Sequence, residues 1–148
     1  MNAAIEVQNL QKVYENGLKA LKGINLSIPQ GSFYGLLGPN GAGKTTTIGI
    51  ITGLVHLTSG RASIMGYDTI HEYRKARRLI GLSPQELNFD VFFCMEELLE
   101  LQAGYYGLPL KEAKERTALM LQQFGLTEKR KSRARELSGG MKRRVQIA

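Results

Sequence analysis

Residues 38–45 read Gly38-Pro39-Asn40-Gly41-Ala42-Gly43-Lys44-Thr45. That is the G-x-x-x-x-G-K-[ST] spacing of a phosphate-binding loop. Each residue type has a task. Gly38, Gly41 and Gly43 permit backbone conformations that a side chain would forbid. The loop amides can then converge on phosphate oxygens as an anion-binding nest. The following run, residues 45–54, reads as a helix, and its N-terminal N–H groups and dipole favour an anion. Lys44 is placed to reach the β- and γ-phosphates. The Thr45 hydroxyl, followed by Thr46, is placed to bind Mg²⁺. The apolar run 33–37 before the loop reads as a short buried strand. A glycine-rich turn without a ligand would not need this strand–loop–helix context.

A second candidate anion site lies near the other end. Leu137-Ser138-Gly139-Gly140-Met141 leads into a helical run over 142–148. Ser138 suits a helix N-cap. Gly139 and Gly140 leave the first-turn N–H groups uncovered.

The elements that must position these two sites follow from periodicity. Residues 4–10 alternate as a strand, continued by Val13 and Tyr14 after a kink. Asn16-Gly17 marks a turn, and 18–28 holds a second extended run closed by Pro29-Gln30-Gly31. Residues 61–65 read as a strand, Gly66-Tyr67-Asp68 as a turn, 71–78 as a short basic helix and 79–83 as a short strand. Beyond Pro84 the period becomes helical, over 95–106 and 110–124. Leu98, Leu101 and Tyr105, and Leu119 and Phe124, are expected on the buried faces. The expected fold class is α/β, mixed to about residue 84 and helical over 85–148.

The 148 residues suggest one domain, and 43% are apolar, an ordinary share for a globular protein. No apolar run is long enough to span a membrane, and the first residues lack the pattern of a secretory signal. A lone Cys94 excludes an internal disulfide, fits a reducing compartment and reads as a small apolar residue at a helix start. The net charge of +7 gathers around residues 74–78, 129–135 and 142–144. Solvated helix faces are the ordinary explanation, and a surface for acidic partners or lipid headgroups is the alternative. His56 and His71 read as surface residues. Glu96, Glu97 and Glu100 read as acids clustered at a helix start, where they complement its dipole, not as a paired-carboxylate active site. No Cys/His spacing suggests zinc.

Taken together, the motifs resemble the N-terminal part of an ATP-binding-cassette (ABC) transporter ATPase. Lys12-Val13-Tyr14 is similar to the segment whose aromatic residue stacks on adenine. Residues 38–46 match the P-loop, and Ser83-Pro84-Gln85-Glu86 resembles the loop whose glutamine binds Mg²⁺ or its water and senses the membrane partner. Residues 137–141 match the signature motif, which in the family meets the γ-phosphate held by the other subunit. The resemblance covers essentially the whole chain. It implies a P-loop NTPase core, a mixed sheet around the P-loop helix within 1–84, then the Gln85 loop, helical subdomain and signature within 85–148. Residues 33–46 and 137–144 resemble ATPases of ABC-2 type exporters, with Met141 where glutamine is common.

The resemblance implies ATP and Mg²⁺ as ligands, a second ATPase subunit, most simply an identical one, and a transmembrane permease. It places the protein on the cytoplasmic face of a membrane and implies no direct nucleic-acid contact. Lys44 and Gln85 would carry catalytic roles. No run of four apolar residues followed by Asp-Glu occurs, so the carboxylates that hold Mg²⁺ and polarise water are expected outside this sequence. The chain is therefore expected to be C-terminally truncated and deficient in hydrolysis alone. Two other readings remain open: a soluble cassette ATPase acting on ribosomes or DNA, and a non-catalytic nucleotide-binding remnant.

Overall fold

The computed structural model describes residues 3–86, 90 and 92–148. The chain divides into two compact units, Met1–Leu82 and Ser83–Ala148.

The first unit is built on an antiparallel sheet. Strands β1 (Ala3–Val13) and β2 (Lys19–Pro29) form a hairpin, β3 (Ser59–Ile64) pairs with the other edge of β1, and β4 (Tyr67–Asp68) pairs with β3. The order is β2-β1-β3-β4. Strict alternation would turn Val7 and Asn9 to the same face. A bulge prevents that. Asn9 sits at φ 44°, its N–H donates to Asn25 Oδ1 at 2.8 Å, and the register shifts between Val7 and Leu10. Val7 and Leu10 are consequently both buried, one residue out of alternation. The kink expected in this strand is this bulge. Gly60 of β3 lies against it at φ 92°, where a Cβ would collide with the Asn9 carbonyl.

Helix α1 (Lys44–Ile51) covers the sheet through Ile50 and Ile51, which join Leu10, Leu21, Ala62 and Ile64 in one core. Burying each such aliphatic side chain stabilises by roughly 1.5–3 kcal/mol. The helix ends in a Schellman turn. Gly53 N–H donates to Ile50 O at 3.1 Å and Leu54 N–H to Gly49 O at 2.7 Å, with Gly53 at φ 76°.

The hairpin from β3 to β4 turns through Met65 and Gly66, both at positive φ, the pattern of a type I′ turn. Tyr67 and Asp68, expected within a turn, are therefore paired strand residues. Helix α2 (Tyr73–Arg77) follows. Asp68 fastens this corner: its Oδ1 accepts from the N–H groups of Ile70 (2.9 Å) and His71 (3.0 Å), and its Oδ2 pairs with Arg61 Nε at 3.0 Å. Burial pushes the carboxyl up. The two backbone donors and the Arg61 guanidinium outweigh it and hold the group below the ordinary 3.8. A carboxyl so lowered stabilises fully above its unfolded value and loses that contribution as pH falls through the folded one. Asp68→Asn is expected to cost about 1–2 kcal/mol at pH 7, in line with hydrogen bonds to a charged group. Urea denaturation should show the two chains converging in stability as pH falls below about 4.

Two expected strands do not form. Residues 33–37 make no sheet ladder among the described residues, and Phe33 and Leu37 are almost fully exposed. Residues 79–83 are irregular, with Leu79 and Leu82 exposed. Apolar runs carry strand propensity, but a strand exists only where a neighbour takes its N–H and C=O groups.

The second unit is helical: α3 (Met95–Tyr105), α4 (Leu110–Gln123) and α5 (Gly139–Ile147), with single 3₁₀ turns at Thr127–Lys129 and Ala134–Glu136. The helices are where periodicity placed them, but their buried faces are turned. α3 buries Met95 and Leu99, and α4 buries Ala113, Thr117 and Leu121. Leu101, Tyr105 and Leu119, expected inside, are exposed, while Leu98 and Phe124 only flank the core. Small residues on α4 let α3 approach, so volume rather than hydropathy selected the packed face. Cys94 is buried at the start of α3, as expected, and its N–H donates to Glu97 at 2.8 Å. Glu96 pairs with Lys131 at 2.9 Å. The first-turn acids are thus structural.

Candidate functional site

The phosphate-loop residues lie in the first unit. Gly43 is the N-cap of α1 at φ 84°. Its carbonyl accepts from the Thr47 N–H at 2.8 Å and the Thr47 hydroxyl at 2.9 Å. A Cβ on Gly43 would come within 2.8 Å of the Ala20 carbonyl oxygen, so the loop is seated directly on the β2 backbone. Upstream, the Ala42 N–H donates to Pro39 O at 3.2 Å and closes a turn over Asn40 and Gly41. Lys44 folds back across this turn. Its ammonium donates to Gly38 O at 2.6 Å and Pro39 O at 2.7 Å. A fixed cation therefore stands beside the first helical turn. The N–H groups of Lys44, Thr45 and Thr46 belong to that turn, where no intrahelical carbonyl can reach them. No acidic residue occupies it. Charge and donors both favour an anion at this point.

The Tyr14 hydroxyl lies 3.4 Å from Thr46 Oγ1, so the structure brings this aromatic residue to the loop. The Lys12 ammonium sits 4.9 Å from the centre of its ring. Sequence reading did not single out Lys12, although its i, i+2 spacing to Tyr14 on a strand places both on one face. Thr45 is exposed at the helix start.

Gln85 and Ser138 to Gly140 belong to the second unit. Helix α5 begins at Gly139, earlier than expected, with Ser138 as N-cap; its hydroxyl accepts from Met141 N–H at 3.3 Å. Leu137 is buried just before the cap and Val145 about two turns beyond it, while Ser138, Gly139 and Gly140 are exposed. A Cβ at Gly139 or Gly140 would meet nothing within 4 Å. Glycine is a poor helix former, and a side chain at either position would meet open space. Nothing in the packing of the described residues requires them.

The basic clusters are partly structural. Arg77 donates to Gly53 O at 3.0 Å and Arg144 to Phe124 O at 2.9 Å. Arg143 and Gln146 hold the backbone around Gln85. Their i, i+3 spacing on one face of α5 was the available signal for this pair. His56 and His71 are exposed, as expected.

Mg²⁺ would fit here only together with a nucleotide. Among the described residues no three His, Cys, Asp or Glu side chains gather to hold a metal. A helix-start hydroxyl such as Thr45 is a suitable single oxygen donor when phosphates and waters complete the octahedron.

The ABC transporter family matches residues 21–148. The linearmycin resistance ATP-binding protein LnrL of Bacillus subtilis (strain 168) is 44% identical, across 97% of this chain and 46% of its own length. The Nod factor export ATP-binding protein I of Burkholderia orbicola (strain AU 1054) is 39% identical, across 99% of this chain and 48% of its own. The chain spans about half the length of these relatives. Among solved structures, cbiO1 from Clostridium perfringens, part of the ABC transporter complex cbiONQ, superposes with a TM-score of 0.83 at 28% identity. That match covers 99% of this chain and 60% of the solved one. The family match over residues 21–148 and these similarities agree with the geometry: the chain belongs to the ABC transporter family and has a P-loop NTPase fold.

Proposed function

We propose that this chain is the nucleotide-binding part of an exporter's ATPase subunit, driving a separate membrane permease. The observation that carries it is the Lys44 ammonium, locked on the Gly38 and Pro39 carbonyls beside an open first helical turn. Residues 38–46 would cradle the phosphates through main-chain N–H groups, with Lys44 supplying charge. Thr45 would give Mg²⁺ one oxygen, and the ion when bound would neutralise phosphate charge; Gln85 would have the role its resemblance implies, binding Mg²⁺ or its water. Tyr14 would stack on the base, which must use the ring face away from Lys12 or displace that ammonium.

Gly139 and Gly140 supply a second, independent support. Glycines unneeded by the fold suit a surface that something from outside must approach closely. The cap and open amides suit a phosphate held by a second copy of the subunit, giving two ATP molecules sandwiched head to tail. ATP would have to bind this closed pair more tightly than the open one. The exposed Leu101, Tyr105 and Tyr106 on the helical unit suit contact with a permease. The subunit would then sit peripherally on the cytoplasmic face of the membrane. An oriented water is needed for hydrolysis, and the 148 residues supply no Asp-Glu pair after an apolar strand. Alone they would bind nucleotide weakly, with negligible turnover.

The test is a titration of the chain with fluorescent ATP in Mg²⁺, followed by sedimentation. Wild type should bind and self-associate with nucleotide. Gly139→Asp should keep its one-to-one affinity within about 2-fold, because aspartate in a first turn suits the helix dipole, yet lose nucleotide-dependent association. Retained association would sink the sandwich. Turnover near that of a complete family ATPase would sink the claim of hydrolysis deficiency.

A further inference from the structure

Helix α5 carries the Ser138 cap at its start and grips the Gln85 segment further along. Arg143 Nη1 donates to Pro84 O at 2.9 Å and Arg143 Nη2 to Gln85 O at 3.0 Å. Gln146 Nε2 donates to Pro84 O at 2.9 Å and to Glu86 O at 3.2 Å. Gln146 Oε1 accepts from Arg143 Nη1 at 2.6 Å. Three consecutive carbonyls are thus bound by two side chains of one helix, some sixty residues away in sequence. The segment they hold is in neither helix nor strand, so its carbonyls have no ladder of their own. A planar guanidinium spans two adjacent carbonyls in a way that an ammonium cannot.

α5 is itself anchored. Leu137 and Val145 are buried in the unit's core, and Arg144 ties the helix to the Phe124 carbonyl at the end of α4. Arg143 lies four residues beyond Gly139, about 6 Å along the axis at 1.5 Å per residue. The helix start and the clamp therefore share one rigid element.

We propose that Arg143 and Gln146 are positioning residues that lock the Pro84 to Glu86 backbone to α5, so that any shift of the Ser-Gly-Gly helix start displaces Gln85. The inference rests on the proposed function only for what Gln85 then does: contact at the helix start would be relayed to the metal-binding glutamine by α5, without passing through the core. The clamp itself is independent of that reading. Gln85 takes part only through its carbonyl, so its side chain can be replaced without cutting the clamp.

A nitroxide on Gln85→Cys reads the clamp directly, because Cys94 is buried at 8% exposure and should stay unlabelled. The label should be restrained in the otherwise wild-type chain. Arg143→Ala should raise the mobile spectral fraction several-fold, and Arg143→Lys should give an intermediate value. Gln146→Glu keeps the acceptor for Arg143 but removes both donors to the carbonyls, so it too should loosen the label. Circular dichroism should show unchanged helix content. Spectra unaltered by Arg143→Ala and Gln146→Glu would overturn the clamp, and the second variant decides if the first does not fold.

The positioning role is read with unlabelled chains, as the ratio of ATP affinities with and without Mg²⁺. Arg143→Ala should lower that ratio by about the same factor as Gln85→Ala. A ratio unchanged by Arg143→Ala but lowered by Gln85→Ala would overturn the relay. A wild-type chain that binds no ATP would defeat the proposed function, and the label would then decide the clamp alone.

Discussion

Lys44→Ala is expected to weaken nucleotide binding more than about 100-fold, from the loss of roughly 3 kcal/mol of charge-assisted bonding to phosphate. The geometry makes the prediction sharp. In the folded chain the ammonium already stands at the loop, held by two carbonyls at 2.6 and 2.7 Å. Little side-chain entropy remains to be lost when an anion arrives. Truncation removes the only lysine or arginine within the motif, residues 38–45, and leaves the loop carbonyls Gly38 O and Pro39 O facing the phosphates. The fold should survive, because the Gly43–Thr47 bonds and the buried Ile50 and Ile51 do not involve Lys44. Isothermal titration with Mg-ATP, alongside a urea melt, checks both halves. Wild-type affinity in this variant would contradict the phosphate-loop assignment.

Gly43→Ala should act differently, damaging stability and binding together. The residue sits at φ 84°, and its added Cβ would lie 2.5 Å from Leu21 Cδ2 and 2.8 Å from the Ala20 oxygen. A left-handed conformation costs an L-residue about 1–2 kcal/mol, and overpacking adds about 1–3 kcal/mol. Relief can come only by lifting the loop from β2 or rotating the start of α1. Either movement turns the first-turn N–H groups away from their common focus. A loss of roughly 3 kcal/mol in urea unfolding is expected, with nucleotide affinity reduced at least 10-fold. Lys44→Ala and Gly43→Ala thus separate charge from shape: one should change binding alone, the other both. A Gly43→Ala chain as stable as wild type would mean that β2 and the loop are not in contact.

Much of this was legible along the chain, and what was not has a consistent cause. The loop from Gly38 to Thr45 and the cap at Ser138 are local devices. Their geometry depends on main-chain groups within a few residues, so residue type and spacing are enough to reveal them. The boundaries of α3 and α4 are local in the same way. Their buried faces were not, because Leu101 and Leu119 are as apolar as Leu99 and Leu121, and only the approach of the neighbouring helix distinguishes them. Residues 33–37 have the composition of a strand, but pairing is a property of two segments.

The sequence by itself determined the loop spacing at residues 38–46, the capped helix start and the presence of the main helices, since each is written in contacts of short range. Only the tertiary structure decided that Tyr14 meets Thr46, that Asn9 opens a bulge against Gly60, and that Arg143 and Gln146 take hold of the Gln85 backbone. Those contacts join residues from thirty-two to about sixty positions apart. Neither periodicity nor residue spacing carries information across such a distance until the chain has folded.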